Sequence, residues 1–135
     1  MIIKDISQID QMAEQVFSHG PNMIAVDLND YNEFKSNSTA LHAITVSLPA
    51  LIKAGIPLFA EAIKNFSKEG VHQILLQISG VSSSLEVHYI TINEMNIVLK
   101  TLEEHFGKVK VIWGLSDRRS DDKSDYEVVI IVGYK

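Results

Sequence analysis

V-H-Q-I-L-L-Q-I, from Val71 to Ile78, is a near-continuous apolar run. A strand with one wet face alternates apolar and polar residues. This one does not, so it reads as buried on both faces, or at least central in its sheet. Helical patterns flank it. Upstream, a helix runs from Pro57 to about Lys68 and buries Phe59, Ile63 and Phe66. Pro57 suits its first turn, and Gly70 follows its end. Downstream, Thr91-Ile92-Asn93-Glu94 is a capping box, in which the Thr91 hydroxyl takes a backbone N–H and Glu94 reaches back. The helix it opens carries Met95, Val98, Leu99, Leu102 and Phe106 on one stripe and ends at Gly107.

The pattern extends outward in both directions. Residues 5–19 read as a first helix, with Ile6, Ile9, Ala13, Val16 and Phe17 at helical spacing. Asp5 or Ser7 caps its start, Gly20 closes it and Pro21 stops it. Met23 to Leu28 reads as a short buried strand. Residues 29–38, N-D-Y-N-E-F-K-S-N-S, are polar and turn-prone. Thr39 to Ser47 reads as a strand, as do Lys108 to Leu115 and Tyr126 to Val132. The stretch S-D-R-R-S-D-D-K-S-D between the last two reads as a hydrophilic hairpin connection.

The resulting order, α-β-β-α-β-α-β-β, predicts an α/β (α+β) fold with right-handed β-α-β crossovers. The expected sheet is mixed and four-stranded. Two helices pack on one face, an N-terminal helix is added, and the last two strands are antiparallel neighbours. No linker or repeat divides residues 1–135, so one domain is expected.

At 135 residues, a single domain buries about two-thirds of its unfolded surface and needs no staples. The absence of cysteine excludes thiol catalysis and cysteine zinc sites. A formal net charge of −5 argues against nucleic-acid binding. The first residues lack a basic segment followed by an apolar core, and no apolar run nears the roughly 20 residues of a membrane span. Leu48 to Phe66 comes nearest and is broken by Pro49, Lys53, Gly55, Pro57, Glu61 and Lys64. A cytoplasmic location is the default expectation.

Few residues suggest chemistry. Asp27 and Asp30, with Asn29 between them, have a spacing that orients a water or cation, or equally caps a turn. The five histidines, His19, His42, His72, His88 and His105, lack the close pairing of a zinc site, so they read as ordinary surface or half-buried residues. Ser82-Ser83-Ser84 lacks a nucleophile-elbow pattern and reads as a solvated loop. Arg118-Arg119 is flanked by Asp117, Asp121 and Asp122 and reads as locally neutralised. Trp113 reads as core, or as an interface anchor if partly exposed. No cofactor or metal is expected.

Three stretches together resemble the C-terminal domain of FtsZ, the bacterial relative of tubulin. They are G-P-N-M-I-A-V-D-L-N-D; I-L-L-Q-I-S-G with the helix T-I-N-E-M-N-I-V-L-K; and V-K-V-I-W-G-L-S-D through D-Y-E-V-V-I-I-V-G-Y. The resemblance covers about residues 8–134. It implies that domain's fold without the family's GTP-binding domain, since no two glycines lie close enough for G-x-G. In the family, an N-x-D-x-x-D loop meets the GTP of the next filament subunit. Carried over, Asp27 and Asp30 match the two acidic positions, and Ala25 stands where the family has Asn. The resemblance implies a non-enzymatic interaction module in a cell-division setting, contacting a partner through Asp27, Asn29, Asp30 and Tyr31. The partner is an FtsZ-like subunit or a second copy, giving a homo-oligomer. At most, Asp27 and Asp30 complete a partner's GTPase site in trans. The alternative is a small ligand-binding protein or enzyme that reused the fold.

Overall fold

A computed structural model describes residues 2–17, 22–24, 26–48, 52–82, 92–119 and 126–135. The elements are α1 (Ile6–Phe17), β1 (Asn22–Ile24), α2 (Leu28–Ser36), β2 (Ala40–Leu48), α3 (Ile52–Ile63), β3 (Val71–Ser82), α4 (Ile92–Phe106), β4 (Lys110–Arg119) and β5 (Tyr126–Tyr134). The four long strands form the expected mixed sheet, and the three-residue β1 adds a fifth at its edge, in the order β1-β4-β3-β5-β2.

β3 runs parallel to β4 and antiparallel to β5. The final two strands were expected to be neighbours, and β3 separates them. Its apolar residues need cover on both faces, which only a central strand receives. β4 and β5 are therefore about 10 Å apart, two strand spacings. β2 pairs antiparallel with β5, so β2 and β3 are parallel with β5 between them. Both helix crossovers, β2-α3-β3 and β3-α4-β4, thus join parallel strands.

The two-residue side-chain period divides the core. Ile74, Leu76 and Ile78 of β3, with Val128, Ile130 and Val132 of β5, pack against Phe59 and Ile63 of α3 and Met95, Val98 and Leu102 of α4. Leu75, Val129 and Ile131 point the other way, toward Ile9, Ala13 and Phe17 of α1 and Tyr31 and Phe34 of α2. Leu75, Leu76 and Ile74 are all 0% exposed. The expectation for Val71–Ile78 thus holds, and the strand continues four residues further, to Ser82.

Two local readings change. Residues 29–38 were expected to be turn, yet most of them lie in α2. α3 begins at Ile52, so Pro57 lies inside the helix rather than in its first turn. Pro57 has no N–H for the carbonyl of residue 53, and the helix proceeds with that bond missing. α1 is described as far as Phe17, and of the two expected caps Asp5 serves: its Oδ1 accepts the N–H groups of Ser7 at 2.8 Å and Gln8 at 3.3 Å. The Thr91 half of the other predicted cap lies outside the described residues.

Both edges of the sheet are partly covered. Ile3 exchanges backbone hydrogen bonds with Ala43 of β2 at 2.7 and 2.8 Å. Among the described residues β1 covers β4 only at Leu115 and Ser116.

Candidate interaction surface at the start of α2

The extended backbone of Asp27, with φ −110° and ψ 177°, turns the chain into α2. Asp27 Oδ1 accepts the Asp30 N–H at 2.9 Å, and the Asp27 N–H donates to Asp30 Oδ2 at 3.0 Å. The acidic pair is therefore a reciprocal capping box. It satisfies donors that a helix start leaves orphaned, and its negative charge suits the positive end of the helix dipole. One oxygen of each carboxylate forms no hydrogen bond among the described residues. Asp27 and Asn29 are exposed, and Asp30 is half-buried.

Tyr31, expected at the contact surface, faces inward and is 2% exposed. Its ring stacks 6.2 Å from that of Phe17. Its hydroxyl donates to Asp10 Oδ1 at 2.6 Å, and Lys35 Nζ lies 3.0 Å from both Asp10 oxygens. Burial, then the Asp10 carboxylate, push the Tyr31 phenol far above its ordinary range. Burial raises the Asp10 pKa, but the hydrogen bonds from Tyr31 and Lys35 outweigh it and hold the carboxyl below 3.8. This link ties α2 to α1. Tyr31 and Lys35, four residues apart on one helix face, were its only signal in the sequence.

The far end of α2 is anchored on the sheet. Ser38 Oγ lies 2.9 Å from both the Phe34 carbonyl and His72 Nε2. The buried Gln73 amide donates to the same carbonyl at 3.0 Å. Thr39 donates through its backbone N–H and its hydroxyl to the Tyr134 carbonyl, at 2.8 and 2.9 Å. Gly133 makes room for this contact, since a Cβ there would sit 2.5 Å from Ser38 Oγ and 3.1 Å from Phe34 Cζ.

The histidines and the other singled-out residues do not converge. His42 packs tilted against Tyr134 with ring centres 4.6 Å apart, His72 meets Ser38, and His105 Nε2 lies 3.4 Å from the Phe66 carbonyl. Partial burial, with Lys4 near His42 and Lys135 near His72, holds both imidazoles below the usual 6.5. His19, Ala25, His88, Ser83 and Ser84 lie outside the described residues, as do the side chains of Ser82, Arg118 and Arg119. Among the described residues no group of acidic and histidine side chains is arranged to hold a metal. No described helix is long and apolar enough to cross a membrane.

No protein-family model and no curated protein matches the chain. Among solved structures it is similar to an FtsZ mutant from M. jannaschii, with 13% identity and a TM-score of 0.54 over 96% of this chain and 37% of that one. The likeness shows an FtsZ-like fold, and the chain spans well under half of that protein. E. coli HypE, a hydrogenase maturation protein, scores 0.41 at 10% identity over 96% of this chain and 43% of that one. Thiamine monophosphate kinase from Aquifex aeolicus scores 0.35 at 14% identity over 96% and 42%. Neither score carries an argument about the fold.

Proposed function

We propose that this domain is a non-enzymatic protein-interaction module of the FtsZ C-terminal type. It binds or caps FtsZ-like filaments, or assembles with itself, through the turn that opens α2. The observation that carries this reading is the capping box. It holds Asp27, Asn29 and Asp30 in one fixed arrangement, and among the described residues one oxygen of each carboxylate is left outside the cap. A contact held rigid before binding loses less conformational entropy when a partner arrives. The contact set is Asp27, Asn29 and Asp30. Tyr31 supports it from beneath rather than touching the partner. Any contribution to GTP hydrolysis comes in trans, from the carboxylate oxygens outside the cap facing a partner's nucleotide.

The test is sedimentation of FtsZ filaments with the purified domain. The domain is expected to pellet with the polymer or to change the polymer mass. Asn29→Lys, an exposed change that leaves the cap intact, is expected to abolish the effect. If the domain stays in the supernatant, the polymer mass is unchanged and the domain alone sediments as a monomer, the reading fails.

A further inference from the structure

A groove of about 380 Å³ lies between α4 and β4, away from the α2 surface. Leu99 and Leu102 line one wall, Val111 and Trp113 the other, with Glu103 and Lys108 also in its lining. Leu99, Val111 and Trp113 are only half-buried, so apolar surface remains open. No residue of β3 lines it, which places it on the outer side of β4. Among the described residues β1 pairs there only with Leu115 and Ser116, and Lys110 to Gly114, bonded to β3 on their inner side, have no strand partner on their outer side. The opposite edge of the sheet is crossed by Ile3. A free edge presents backbone donors and acceptors ready to pair with another chain. When a helix stands beside such an edge, an incoming strand bonds to the edge and seats alternate side chains in the groove.

Charge narrows the occupant. Lys108 and Lys110 are exposed, and neither forms an ion pair among the described residues, although the chain carries −5 overall. The one lining carboxylate, Glu103, stands on the helix wall rather than on the edge. We propose that β4 binds an extended segment of another protein by strand addition. Apolar side chains of that segment seat against Val111 and Trp113, and acidic ones face Lys108 and Lys110. The pattern required is therefore an alternation of apolar and acidic residues, the two-residue period of a strand.

Trp113 is the only tryptophan, so its emission reports on the groove. The probe is a short end-blocked peptide alternating valine and glutamate. Its addition is expected to shift Trp113 emission to the blue in a saturable way. Lys108→Glu is expected to weaken binding about fivefold, the size of one exposed ion pair. It should also improve binding of the matching valine–lysine peptide. A central proline in the probe is expected to abolish binding, because it removes a donor to the edge. No emission change at millimolar peptide, or equal binding of the proline probe, overturns the proposal. Emission that shifts with protein concentration alone, alongside dimer sedimentation, overturns it in favour of a second copy. No filament is involved, so this test and that of the α2 surface fail separately.

Discussion

On one side of β3 the core is closed by Phe59, Ile63, Met95, Val98 and Leu102, with carbon and sulfur packed against carbon. On the other side Phe17, Tyr31 and Phe34 share the work with hydrogen bonds that involve Asp10 as acceptor and Lys35, Ser38, His72 and Gln73. Gln77, also on the α1/α2 side, is 1% exposed and its Oε1 has no partner among the described residues. The α3/α4 side is built from volume, and the α1/α2 side from geometry. Volume is insensitive to direction, whereas a hydrogen bond fails when its partner moves by an ångström. The side that holds the proposed contact surface is thus the one whose helix is positioned by directional bonds.

Substitutions on the two sides should differ in size and in kind. Phe59→Ala empties a wholly buried site and is expected to cost about 3–5 kcal/mol, read from the midpoint of urea unfolding. Gly133→Ala forces Ser38 and Phe34 away and is expected to cost about 1–3 kcal/mol. Adding Ser38→Gly should recover part of that loss, because it removes the closest clash. If Gly133→Ala alone is neutral, α2 is not anchored as described. Asp27→Ala should cost about 1 kcal/mol through loss of the cap.

Acid should weaken the fold in two steps, and not from one side alone, because His42 packs on Tyr134 of the α3/α4 cluster. His42 and His72 have lowered pKa values in the fold, so the folded state binds fewer protons than the unfolded chain. Stability is then full above 6.5 and falls as pH drops below it. Asp10, held below 3.8, adds a second loss as pH falls through and below that value. Unfolding midpoints measured from pH 7 to 3 should decline in both windows. His42→Phe with His72→Gln should flatten the first, and Asp10→Asn the second.

How much was legible follows the same division. β3, its double-sided burial and the α4 stripe were visible because apolar periodicity encodes volume. α2 was not, since L-N-D-Y-N-E-F-K-S buries only Tyr31 and Phe34. Its one clear signal was Asp27 with Asp30, which fits a cap as well as a water site. Strand order was hidden for another reason. The short separation of β4 and β5 suggests a hairpin, and only the need to cover β3 on both faces argues against it. Nothing in the local sequence near Pro57 showed that α3 starts before it, because a proline fits a first turn and is tolerated further in at a loss. The Asp10–Tyr31 bond spans 21 positions, beyond the reach of any local pattern.

The central claim is that the start of α2 is the partner surface. Amide resonances of the labelled domain, followed as FtsZ-type protein is added, test it most directly. Broadening or shifts concentrated at residues 26–30, and absent in Asn29→Lys, are the predicted result. Unchanged resonances there, with changes confined to α4 and β4 or with none at all, would contradict it.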